Sequence, residues 1–195
     1  MPRRQHMNEV YERIVNWNAA RYDRVYDQNL AAQLLIEELY EFYESTEDVD
    51  KLDALCDLVY VALGVCWKLN ITDDHMNAAI YEAERQVTTL IAGETIYPVF
   101  LISSYLSAFQ HDDEMDIATA MHAIVMICMV EMKMMRLTEE EAMEALLIVC
   151  DSNDSKSVQK VDSHIKANGS DKGPYYKAPE PKLRILLEKV NARHH

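Results

Sequence analysis

Apolar residues recur at helical spacing along most of the chain. On a wheel turned by about 100° per residue, Ala31, Leu34, Leu35, Leu39 and Phe42 form one arc, which predicts an amphipathic helix through Leu34–Phe42. The polar segment around Ser45-Thr46-Glu47-Asp48 breaks it. A second helix then resumes at Leu52 and runs to about Leu69, apolar on nearly every side, which predicts burial all round. Ahead of this pair, Val10, Ile14 and Trp17 at i, i+4, i+7 mark a helix over Asn8 to Arg21. Behind it, a break at Asn70-Ile71 leads to Thr72, the expected N-cap of a helix through Val87, and Gly93 and Pro98 mark a boundary. The chain closes on a helix over Pro181 to Asn191, with Leu183, Leu186, Leu187 and Val190 as its apolar face. With only 4 Gly and 5 Pro in 195 residues, little room is left for strands. The expectation is an all-α helical bundle forming a single domain, residues 1–195.

The order of caps and apolar blocks recurs at a displacement of 66 positions. Thr72-Asp73-Asp74 parallels Thr138-Glu139-Glu140, Leu35-Ile36 parallels Leu101-Ile102, Asp50 parallels Asp116 and Val59 parallels Val125. Residues 30–87 and 96–153 are thus expected to be halves of a degenerate internal duplication, a fused pair, with 154–195 as a tail. In the second half Glu37, Glu38 and Glu41 correspond to Ser103, Ser104 and Ser107, while Asp53 and Asp57 correspond to Thr119 and Ala123, so only the first half keeps its acids.

Those acids are the candidate chemistry. Glu38 falls inside the apolar arc of its helix and Glu41 at its edge, while Asp53, Asp57 and Gly64 share one stripe of the next helix. Asp and Glu make up 33 residues, so a Glu-x-x-Glu on a helix is ordinarily a solvated face. Acids inside an apolar arc are different, because a buried carboxylate costs several kcal/mol unless something pairs with it. Two acids from each of two helices make an oxygen cage suited to Mg²⁺, with Mn²⁺ as substitute. The expected ligands are Glu38, Glu41, Asp53 and Asp57.

Composition narrows the partners. A formal charge of −14 repels phosphate backbones, which argues against nucleic-acid binding but leaves a metal-bridged small nucleotide open. Cys56, Cys66, Cys128 and Cys150 sit singly in apolar stretches, as core residues in a reducing cytoplasm. The Met1-Pro2-Arg3-Arg4 start leads into polar residues rather than a secretory signal, and the apolar run Ala118 to Val130 is too short to span a bilayer, so no membrane partner is expected.

The acidic pair resembles the all-α NTP pyrophosphohydrolases, the group of MazG, the dimeric dUTPases and phosphoribosyl-ATP pyrophosphohydrolase. That family carries a Glu-x-x-Glu on one helix and a Glu-x-x-Asp followed by apolar residues on the next. Glu38 and Glu41 match the first motif; Asp57, followed by Leu58-Val59-Tyr60, matches the end of the second. Ala54 stands where the family's second Glu would be, and Asp53 is the expected substitute, as in phage-type MazG-like sequences. Trp17, Asn18 and Arg21 resemble a helix of the family where an aromatic and an amide lie near the nucleobase; Trp17 is equally readable as core. Asn153 and Lys156 resemble the family's Asn-x-x-Lys, and Lys172-Gly173-Pro174-Tyr175-Tyr176 its Lys-Gly-Pro-x-Tyr segment, which implies substrate-binding roles for Asn153, Lys156, Lys172 and Tyr175.

The resemblance implies a Mg²⁺-dependent hydrolysis of a nucleoside triphosphate between its α- and β-phosphates, giving the monophosphate and pyrophosphate, with dGTP, dCTP or dUTP as candidates. Glu37, Glu38 and Glu41 form the catalytic set, with Glu37 or Glu41 as the proton acceptor. It also implies a homo-oligomer, dimer or tetramer. The alternatives are phosphoribosyl-ATP hydrolysis and a non-enzymatic assembly of Met-rich helices.

Overall fold

A computed structural model describes residues 2–93, 102–106, 113–156 and 172–193. Within them lie α1 (Pro2–Ala19), α2 (Gln28–Glu44), α3 (Asp48–Leu69), α4 (Asp73–Gly93), α5 (Ile102–Leu106), α6 (Glu114–Met134), α7 (Glu139–Asp154) and α8 (Glu180–Ala192). The described residues contain no strand. The all-α expectation holds, and the boundaries shift by a few residues. The first helix starts at Pro2 rather than Asn8, since Pro is well suited to a first helical turn, and α4 continues past Val87 to Gly93. Pro98, Leu101 and Ser107, and the side chains of Ser103 and Ser104, lie outside the described residues.

α3 is the axis of the bundle. Leu52, Leu55, Cys56, Leu58, Val59 and Ala62 are fully buried, and the helix packs against α1, α2, α6, α7 and α8. Its apolar surface on nearly every side requires this, because each large aliphatic side chain taken out of water contributes about 1.5–3 kcal/mol. α6 is its neighbour and packs in turn on α4, α5 and α7. By length and composition alone α6, which extends beyond Ala118–Val130 on both sides, is long enough to cross a membrane. Yet 67% of its most apolar window is buried inside the bundle, as in a core helix.

Local caps set the helix ends. Asp27 accepts from Leu30 N at 3.0 Å to open α2, Thr72 accepts from His75 N at 3.3 Å to open α4 as expected, and Thr138 with Glu141 forms a capping box on α7. α3 ends at Asn70 in the left-handed region (φ 56°), where its last turn is held by Arg24, whose Nε donates to Trp67 O at 2.7 Å. Arg136, past the end of α6, is also left-handed (φ 70°).

His122 on α6 touches both helices beside it, with Nε2 3.8 Å from Cys66 Sγ on α3 and 3.0 Å from Met76 Sδ on α4. Burial holds its pKa down to about 4, from an ordinary value of 6.5. The unfolded chain therefore takes up the proton first. His122 adds stability fully above pH 6.5 and loses it as pH falls toward 4, by up to about 3 kcal/mol. His122→Leu should flatten the stability profile over that window, measured as the difference in urea midpoints between wild type and variant from pH 4 to 7.

Candidate active site

The acids of α2 and α3 emerge from the heptad-like spacing that buries their helices. Glu38 is 4% exposed, inside the apolar face of α2, and Glu41 is exposed one turn on. Asp53 and Asp57 are half-buried on α3, whereas Ala54 lies in the core. Burial raises the Asp53 carboxyl to about 7, and the negative charges of Glu180, Glu38 and Glu41 push the same way; the Lys156 ammonium opposes them. Glu38, Glu41 and Lys156 are thus each within electrostatic reach of Asp53. Glu180, in the first turn of α8, joins them unannounced: an acid just after a proline at a helix start looks like an ordinary dipole partner. Asp57 lies one turn along, where its charge acts on the Tyr60 hydroxyl and the Cys150 thiol. Glu37 is partly exposed and accepts from Gln33 Nε2 at 3.0 Å.

The donor set suits a hard divalent cation. Every side chain that converges on Asp53, apart from Lys156, offers carboxylate oxygens, and both Asp53 Oδ1 and Glu180 Oε2 are buried with no hydrogen-bond partner. Among the described residues, no group of three or more His, Cys, Asp or Glu side chains is placed to hold a metal ion.

A second group of predicted residues meets where α1 crosses the end of α7. Trp17 Nε1 donates to Asn153 O at 2.8 Å, and its ring packs edge-on against Tyr60 with centroids 5.6 Å apart. The Arg21 guanidinium lies 4.4 Å over the Trp17 ring and donates to Trp17 O (3.3 Å) and Lys156 O (3.1 Å). Asn18 Nδ2 donates to Ile14 O at 2.9 Å and rests on Gly64, where a Cβ would sit 3.3 Å from that nitrogen; the absent side chain lets α1 approach α3. Asn153 Nδ2 donates to Val149 O at 3.2 Å. These donors serve carbonyls of the chain itself, and together they fix the helix end that carries Lys156. Lys172 and Tyr175 stand apart in a turn closed by Tyr176 N to Gly173 O at 3.0 Å. The Lys172 ammonium is 4.9 Å from the Tyr176 ring centroid, and Tyr175 is 85% exposed. An open groove of about 360 Å³, lined by Arg13, Asp151, Asp154, Ser155, Lys177 and Lys182, contains none of the predicted site residues.

Glu180, Glu38, Glu41 and Lys156 thus each act electrostatically on one half-buried acid of the central helix. Residues 7–84, from α1 into α4, match the family model for phosphoribosyl-ATP pyrophosphohydrolase. Over that segment the chain is similar to a family of pyrophosphohydrolases that is part of the all-α NTP pyrophosphohydrolase superfamily. No curated protein and no solved structure matches it.

The α1–α7 junction makes a test of its own. Arg21 is 8% exposed and closes the last turn of α7, so Arg21→Ala leaves the Lys156 carbonyl without its donor and removes the cation–π contact. A loss of about 2 kcal/mol in chemical denaturation is expected, with Arg21→Lys recovering only part of it.

Proposed function

We propose that this protein hydrolyses a nucleoside triphosphate, or a triphosphate built on one, between its α- and β-phosphates, in a reaction that depends on Mg²⁺ or Mn²⁺. The observation that carries the reading is the cluster around Asp53, in which Glu38, Glu41 and the Lys156 ammonium act on a buried carboxylate inside the family-matched bundle. Glu38, Glu41, Asp53 and Asp57 would hold the cation, which when bound neutralises the triphosphate and lowers the pKa of water. Glu41, exposed at the mouth, takes the proton of the attacking water; Glu37 is the less favoured acceptor because Gln33 engages its Oε1. Lys156 balances charge on the leaving pyrophosphate. Trp17, Asn18, Arg21 and Asn153 form the wall that orients Lys156, and Lys172 approaches phosphate only if its turn folds over the site.

The substrate has two readings. A deoxynucleotide such as dGTP, dCTP or dUTP follows from the phage-type details around Asp53, whereas the family model matching residues 7–84 favours phosphoribosyl-ATP. Product chromatography over all common NTPs, dNTPs and phosphoribosyl-ATP separates them. Glu38→Ala and Asp57→Ala should each abolish pyrophosphate release while leaving helicity unchanged, and EDTA should stop the reaction until Mg²⁺ is restored. Near-wild-type turnover in either variant, or activity that survives chelation, would sink the site assignment.

The same reading makes the chain a fused pair with one site. What supports it is register: α3 and α6 begin 66 residues apart, as do α4 and α7, and the left-handed residues Asn70 and Arg136 stand at the same displacement. α3 packs on α6, while α4 lies against α6 and α7 against α3, the exchange that a twofold relation requires. Thr119 and Ala123, buried where the first half has Asp53 and Asp57, carry no charge to hold a cation. Titration with a non-hydrolysable triphosphate in Mg²⁺ should therefore saturate at one nucleotide per chain. Two equivalent nucleotides would refute the single site.

A further inference from the structure

α3 and α4 form a hairpin that packs on α6, and its closure gathers soft donors. Asn70 in the left-handed region and Thr72, whose hydroxyl accepts from His75 N at 3.3 Å, fix the connection. Cys66 in the last turn of α3 and Met76 in the first turn of α4 are thereby brought to one ring on α6. His122 Nε2 stands 3.0 Å from Met76 Sδ and 3.8 Å from Cys66 Sγ.

Interactions within the chain account poorly for this arrangement. An imidazole nitrogen is either a donor or an acceptor, and a thioether and a thiol are weak partners for it in either state. Imidazole, thiolate and thioether together are instead ligands that select Cu(I). Metal-bound nitrogen and sulfur lie ~2.0 and ~2.3 Å from their ion, which sets them about 3.5–3.8 Å apart. The His122–Cys66 spacing already matches. The Met76 thioether, on an unbranched side chain, has to withdraw by less than about 1 Å. Cys66 is 1% exposed, whereas His122 and Met76 are partly exposed and leave an ion a way in.

Charge decides between ions. With one thiolate among three donors, a monovalent ion leaves the buried group neutral, while Zn²⁺ leaves a net positive charge that burial disfavours. Zinc also takes imidazole, thiolate and carboxylate ligands rather than thioethers.

We propose that Cys66, Met76 and His122 form a site for a single Cu(I) ion, bound through the Cys66 thiolate, the Met76 thioether and His122 Nε2. Burial keeps the thiol protonated without the ion, so binding exchanges one H⁺, which passes to water, for one Cu⁺ and leaves the charge of the group unchanged. Cys66 lies nine residues beyond Asp57, about 14 Å along α3, so this ion is separate from the divalent cation proposed for the acids.

Cu(I) added without oxygen to the reduced full chain, in competition with bicinchoninate, tests the site, because the coloured chelate reports the copper not taken up. Wild type should withdraw one Cu(I) per chain and gain in thermal midpoint, as a ligand of the folded state requires. Met76→Leu, which conserves volume, should hold the ion about tenfold more weakly and Cys66→Ala about a hundredfold. Cys128→Ala removes a buried thiol elsewhere and should match wild type. All are compared at a temperature where circular dichroism shows each chain folded, and Met76→Leu carries the test if Cys66→Ala does not fold. Wild type that yields its copper to bicinchoninate, or Met76→Leu that binds as wild type does, overturns the proposal. Equal losses in Cys128→Ala and Cys66→Ala overturn it too, as binding then belongs to thiols in general. So does Zn²⁺ that raises the midpoint of wild type but not of Cys66→Ala, since the site then prefers a divalent ion.

Discussion

The constraint on which this structure depends is that its most buried helix is also its acid carrier. α3 must be enclosed on every side to hide its aliphatic surface, yet Asp53 and Asp57 occupy one stripe of it. Enclosure and charge are compatible only where that stripe opens to groups able to answer a carboxylate. The charges that act on Asp53 are those of Glu180 from α8, Glu38 and Glu41 from α2, and Lys156 from just past the end of α7. One cation against that many acids leaves a deficit of positive charge.

The end of α7 matters for the same reason. A lysine at a helix terminus is worth little to catalysis if the terminus frays, and the last carbonyls of a helix have no partners within it. Here Trp17 on α1 and Arg21 just past its end supply partners, and Asn153 bonds back onto its own helix. The outer side of the joint is tied by Arg13 to Asp151 and Asp154, an exposed arrangement worth less than the buried one. Residues whose family likeness points to substrate contact thus act on the described chain as the brace of Lys156.

Legibility in the sequence followed periodicity. α3 ends at Leu69 as its pattern demands, and Thr72 caps α4, because caps and apolar spacing are local properties. Glu38 was recognisable as buried from its place within the arc of Ala31, Leu35 and Leu39. Glu180 was not, since nothing local distinguishes an acid in a solvated first turn from one that tertiary docking carries under another helix; the decisive contacts, Lys182 to Asp151 and Arg184 to Glu47, span 31 and 137 positions. Trp17 and Arg21 show the converse. Their residue types suit a nucleobase pocket, and only the long-range bonds to Asn153 and Lys156 reveal what their donors hold.

Violations of local rules mark where the molecule departs from stability as its sole aim. Buried polar atoms ordinarily find partners, yet Asp53 Oδ1, the Tyr60 hydroxyl and Glu180 Oε2 do not, and all three belong to α3 or to the helix docked on it. Burial pushes the Tyr60 phenol well up, so it stays a proton donor facing the Asp57 charge. Elsewhere the same fold satisfies its groups with care: Thr138 and Glu141 close a reciprocal cap on α7, and Arg24 completes the end of α3. A chain able to cap its helices this well has no general difficulty in pairing polar atoms. Of the buried oxygens left without a partner, those of Asp53 and Tyr60 share one stripe of α3, so part of the cost of unpaired burial falls on the helix that the packing encloses most completely.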